Sequence, residues 1–247
     1  MTFDVDNLTK SLAEYSPVAN DAVNLIVKAI RPLGYILISV FFLLEMLSWH
    51  QLLKREGGGL TPKLWLEIGL KYLLAYIFVW QSTTMFRAIL EIFNTVTNIA
   101  NHSVSAGKFT SGFDVGKSRG IVKKILSLIG NGIYYAGNLI ASLLIMLRFF
   151  QMYILKAIAP IMVAFYMQDS LKPIAFNFAK QFCGYALQCL ILIIIVKIYP
   201  ALLTDELLNA GSDVGVLTTA FMSIAKGIIY IALLVGSGRL AQKLMGV

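Results

Sequence analysis

The chain has 247 residues, 58% of them hydrophobic and 14% charged, with a mean hydropathy of +0.76. A soluble domain carries about 45–50% apolar and about 25% charged residues. One core of this size cannot hide the apolar excess, so hydrocarbon must surround much of the surface, which excludes a soluble globular enzyme, a disordered tail and a disulfide-stapled secreted domain.

The net charge is +8. In a soluble protein that balance would point to nucleic acid, but no basic run here exceeds two residues. In a membrane protein its first meaning is topological, because Lys and Arg collect in short cytoplasmic loops. Cys183 and Cys189 lie in one apolar run and provide neither a disulfide framework nor a zinc site. His50 and His102 are too few for most histidine-based metal chemistry. No cofactor and no metal are expected.

The expected fold is all-α: a polytopic membrane protein with five or six transmembrane helices and an N-terminal amphipathic helix. Met1 to Pro17 carries Asp4, Asp6 and Glu14, unlike a signal peptide. Apolar positions Val18, Val23, Ile26, Val27 and Ile30 recur at helical spacing, so segment 1–32 is read as amphipathic, lying on the bilayer or against a partner. Residues 33–100 form a first helical hairpin. Its spans are Leu33–Trp49 and Leu64–Trp80, the second continuing amphipathically to about Ala100. A Gly-rich loop follows Lys54 and Arg55, and Pro62 is placed to start the second helix.

Residues 101–124 are polar and read as a loop. Within them Gly112 to Ser118 resembles a phosphate loop one residue short, with no strand before it to scaffold a phosphate cradle. The remainder, 125–247, is a C-terminal membrane bundle. Ile125–Leu147 is an uncharged span, and 149–181 is expected to be broken at Pro160. Phe182–Leu203 and Val216–Leu240 are two further spans around an acidic connector, 204–215. The connector has no Lys or Arg, so the positive-inside rule puts it outside and the C-terminus in the cytoplasm. Counting charges alone favours six spans over five.

Charges inside spans are costly, about 2.5–3.5 kcal/mol for a lysine at mid-membrane, and mark a cavity or a partner. Lys226 stands near the centre of its span; Glu45 and Lys71 either pair across the first two helices or line a conduit; Lys197 is expected to snorkel to the outer surface. The spaced small pairs Gly137/Ala141 and Ser223/Gly227 suit close helix packing. No nucleophile–base pair or metal-ligand spacing occurs, so no enzymatic activity is expected.

The stretch Lys156-Ala157-Ile158-Ala159-Pro160-Ile161-Met162-Val163-Ala164-Phe165 is followed by a polar turn, an aromatic helix with Phe176, Phe178 and Phe182, and Gly184-Tyr185-Ala186-Leu187-Gln188. Over about residues 137–203 this resembles the TrbL-like family, the polytopic inner-membrane subunits of type IV secretion and conjugation machines. The resemblance implies a five-span topology with the N-terminus outside, a place in the channel across the cytoplasmic membrane, a homo-oligomer, and cytoplasmic ATPases and other secretion subunits as partners besides membrane lipid. On that footing Arg148, Lys156, Lys172 and Lys180 would form a basic cytoplasmic collar for an ATPase or for single-stranded DNA in transit. The competing expectation is a small stand-alone transporter or ion channel, its path lined by Lys226, Glu45 and Lys71.

Overall fold

The computed structural model describes residues 5–55, 61–103, 121–204 and 216–247. The phosphate-loop-like segment 112–118 and the acidic residues of the 204–215 connector lie outside them. Among the described residues there is no strand. A 3-10 turn, Val5–Leu8, and the short α1, Leu12–Tyr15, precede α2 (Pro17–Arg55), α3 (Pro62–Ser103), α4 (Ile121–Phe165), α5 (Lys172–Thr204) and α6 (Val216–Leu244). These last five are long and apolar enough to cross a membrane. The protein is an all-α polytopic membrane protein.

Among the described residues five helices rather than six are candidate spans, because α4 is continuous. Its 45 residues run unbroken past Arg148 and Pro160, so the two spans expected on either side of Arg148 are one helix. At 1.5 Å per residue it is about 68 Å long, more than twice a hydrocarbon core of about 30 Å. Nor does Pro160 break the segment. A proline forfeits one N–H bond, and in membrane helices neighbouring elements and local adjustments make up that loss. The helix ends five residues later, where Tyr166, Met167 and Gln168 donate to the carbonyls three residues back and tighten the last turn. Pro173 then stands in the first turn of α5, where its missing N–H has no intrahelical partner to lose. In the same way Pro32 lies inside α2, so the amphipathic stretch 18–31 and the first span form one 39-residue helix with no break at residue 32.

The chain divides into two compact units, residues 12–91 with 150–183, and residues 1–11 with 92–149 and 184–246. In the first, α2 and α3 pack antiparallel, because partner numbers fall along α3 as they rise along α2. Tyr35 stacks on Tyr76 at 5.4 Å and Phe42 meets Tyr72 edge-on at 5.1 Å. Ile38, Phe41, Ile68, Tyr72, Ala75 and Val79 form the core with Ala164 and Met167 of the α4 end. Further along, Phe86 of α3 is clasped by Phe178 and Phe182 at the start of α5.

In the second unit, Tyr230, Leu234, Ser237 and Ala241 recur at helical spacing as the buried stripe of α6. Gly184 and Gly238 bring α5 and α6 close: a Cβ on Gly238 would sit 3.2 Å from the Gln188 amide. Gly137 of α4 meets Tyr230 and Ile231 of α6, and Gly227 faces Ile133. Three of the four expected small residues thus lie at helix contacts or are buried, Ala141 being 2% exposed; the Ser223 side chain lies outside the described residues.

The tightest backbone approach in the first unit is Gly34 on Pro160, where a Cβ would meet the Pro160 carbonyl oxygen at 2.9 Å and Val79 at 3.1 Å. Gly34→Ala should therefore destabilise the protein by about 1–3 kcal/mol through overpacking. Gly69→Ala, where nothing lies within 4 Å, should be neutral or stabilising by up to about 1 kcal/mol from helix propensity. Thermal unfolding of the two variants in one detergent checks the contrast.

Candidate functional site

Of the two expectations for Glu45 and Lys71, pairing between the helices or lining a conduit, the structure forms the pair. Lys71 Nζ lies 2.7 Å and 3.0 Å from the two Glu45 carboxylate oxygens, and the Tyr72 hydroxyl donates to Oε2 at 2.6 Å. Side-chain exposures of 35% for Lys71 and 22% for Glu45 place the pair at the edge of the packed core rather than in its centre. The α4–α5 turn lies beside it: Lys172 bonds Asp169 at 2.8 Å, and the Lys172 ammonium first, then Lys71, hold the Asp169 carboxyl below the ordinary carboxylate range. The turn's ion pair is therefore complete at neutral pH and is lost only as acid protonates that carboxylate. Lysines and carboxylates alternate at this end of the hairpin, which makes the Glu45 cluster a clamp between α2 and α3.

Lys156 and Arg148 depart from the expected basic collar. Lys156 is buried and its Nζ donates to Asn20 Oδ1 at 2.7 Å. One turn earlier Tyr153 donates to the carbonyls of Leu12, at 2.5 Å, and of Ser16, at 3.3 Å. Ser16 in turn caps α2, its Oγ accepting from the Ala19 amide. Two side chains three apart on α4 thus grip the entry to α2. The Leu12 carbonyl also accepts the Ser16 amide and the Ser16 carbonyl that of Asn20, so Tyr153 takes a second lone pair of each.

Arg148, in the other unit, is 1% exposed. Its Nε donates to the Tyr185 carbonyl at 2.9 Å and its guanidinium lies 5.0 Å from the Phe149 ring centre, but Nη1 has no hydrogen bond. Near it Cys189, fully buried, donates to the Leu8 carbonyl. Of the four collar residues, Lys180 is exposed and Lys172 partly so, while Arg148 and Lys156 are inside the protein. Helical phase, invisible to a count of charges, makes the difference.

Lys197 does not snorkel. It is 7% exposed and donates to the Asn101 carbonyl at 2.6 Å, in the last turn of α3, where carbonyls are unpaired and the helix dipole favours a cation. Lys226 is half-buried, and its own carbonyl accepts a hydrogen bond from Tyr199. Among the described residues no group of three or more His, Cys, Asp or Glu could hold a metal ion. Tyr153, Asn94 and Cys189, which hold the N-terminal segment by its carbonyls, carried no signal in the sequence, because a side chain's bond to a distant backbone follows no spacing.

Compared with known proteins, the chain matches no family model and no curated sequence. The polar interior therefore has to be read on its own geometry. Two experiments separate its structural from its functional members. In a double-mutant cycle of Glu45→Gln and Lys71→Met, followed by thermal unfolding, the two changes should couple by about 1 kcal/mol, each single variant leaving a half-buried charge unmatched. Arg148→Met should fold and be at least as stable as the parent, since a buried cation without a carboxylate gives way to an apolar side chain of similar length at no net cost. Loss of function in that stable variant would assign Arg148 a role beyond the fold.

Proposed function

We propose that this protein is a non-enzymatic channel or scaffold subunit of a type IV secretion machine for conjugative DNA transfer, seated in the cytoplasmic membrane with the C-terminus inside. The observation that supports this most directly is the α4–α5 hairpin. An apolar helix passes through Ala159-Pro160-Ile161, ends in a short turn carrying Asp169, and returns as a helix whose first turns are aromatic and whose continuation opens at Gly184. That order of elements is the TrbL-like pattern on which the resemblance rests.

Packing in the first unit favours the five-span threading of that family. Phe165 lies 6.4 Å from Phe41, and Met167 shares a core with Ile68 and Tyr72, so the 166–171 turn and the 56–60 connector belong to one end of the α2–α3 hairpin. Five spans put those two connectors on the same side of the membrane, whereas six put them on opposite sides. The charge rule then makes that side the cytoplasm and leaves the N-terminus outside. Lys172 and Lys180, not Arg148 or Lys156, are the cations of this segment that reach an ATPase or a passing single strand. In the competing reading, a stand-alone transporter or ion channel, Glu45 and Lys71 would line the path; here they are bonded to each other, with Tyr72 on the same carboxylate.

Reporter fusions at Met1 and within 104–118 should both read outside the cytoplasm. A photocrosslinker at Lys180 should capture a secretion ATPase in cells that carry an active machine. The purified chain alone in liposomes should pass neither ions nor small solutes; solute flux by the chain alone would refute the scaffold reading and leave the fold untouched.

A further inference from the structure

We propose that the outward face of the last turns of α6 binds the phosphate headgroup of an anionic phospholipid through Arg239 and Lys243. Tyr230, Leu234, Ser237 and Ala241 turn inward, with Ser237 bonded to Gln188 of α5. The opposite face carries Arg239 and Lys243, both exposed and four residues apart, so their side chains rise from neighbouring positions about 5–6 Å apart at Cβ. Beside them Val235, Leu240 and Leu244 are 54%, 49% and 64% exposed, and the apolar face continues up the helix through Leu233, Ile229 and Ile228.

Among the described residues Arg239 and Lys243 make no ion pair and no hydrogen bond. They do not cap the helix either. Met245 N donates to the Ala241 and Gln242 carbonyls and Gly246 N to that of Lys243, with Gly246 at φ 71° closing the end. In the other unit lysines and arginines meet acids on the same chain, as in Lys71–Glu45, Arg87–Glu91 and Lys172–Asp169. Here the interior cations Arg148 and Lys197 are bound to carbonyls. A phosphate from outside the protein complements the charge of this exposed pair.

The chemistry selects a phosphodiester on a lipid. A guanidinium fork takes two phosphate oxygens while a lysine beside it adds a mobile point charge. An apolar strip continuous with a membrane-spanning helix offers acyl chains the surface that a soluble anion would leave uncovered. Basic residues just beyond a span are drawn to anionic headgroups for the same reason.

The test uses the full chain in nanodiscs of phosphatidylcholine with and without phosphatidylglycerol, followed by release into detergent and native mass spectrometry. The parent should retain phosphatidylglycerol in at least tenfold preference to phosphatidylcholine. Arg239→Gln with Lys243→Gln should abolish that preference. Lys54→Gln with Arg55→Gln, which removes two cations from the end of α2, should keep it, and the swap Arg239→Lys with Lys243→Arg should retain most of it. An unaltered elution volume and circular dichroism spectrum identify the variants that remain folded. Equal retention by the two Gln pairs, absence of any preference in the parent, or displacement of the lipid by millimolar inorganic phosphate would overturn the proposal, the last result marking a site for free anions.

Discussion

Inside hydrocarbon a backbone carbonyl or a cation without a partner costs more than almost any apolar contact returns, because no water is present to take the missing partner's place. In this protein interior donors, charged and neutral, are matched to backbone carbonyls. Arg148 donates to the Tyr185 carbonyl and Lys197 to that of Asn101, while Tyr153 and Cys189 reach the carbonyls of Leu12 and Leu8. Apolar burial brings helices together but fixes neither rotation nor register; these bonds do both, since each joins one side chain to one carbonyl.

The two units solve the charge problem differently. In residues 12–91 and 150–183 Lys71, Arg87 and Lys172 meet carboxylates of the same unit, and the Glu45–Lys71–Tyr72 clamp sets the register of α2 against α3 along with the Tyr35–Tyr76 stack. The other unit holds its buried cations Arg148 and Lys197 with carbonyls. A carbonyl dipole stabilises a cation without neutralising it, so a net positive field persists there. Such a field suits contact with anionic lipid and, in a secretion channel, with the phosphates of a strand in transit.

Length matters as much as charge for a scaffold role. Helices of 39, 42 and 45 residues far exceed what one crossing requires. Exposed leucines, isoleucines and phenylalanines run along most of α2, α3 and α4, from Val18 to Leu52, Trp65 to Ile99 and Leu128 to Ile154. A small transporter has little need of such reach. A subunit that must meet both a bilayer and neighbouring machine components has use for all of it.

Much of this was legible in the amino-acid order, and the reason is that hydrocarbon acts on each residue separately. Span positions, the helical state, the proximity of Glu45 to Lys71 and the usefulness of Gly137 and Gly227 follow from hydropathy, charge and size read along the chain. Tertiary structure alone decided what depends on phase and on partners distant in sequence. It carried α2 through Pro32 and α4 through Pro160, because packing such as Gly34 on the Pro160 carbonyl stabilises helices that propensity would interrupt. It also turned Arg148 and Lys156 inward while leaving Lys180 outside, because about 100° of rotation per residue separates neighbours that look alike in a string of letters.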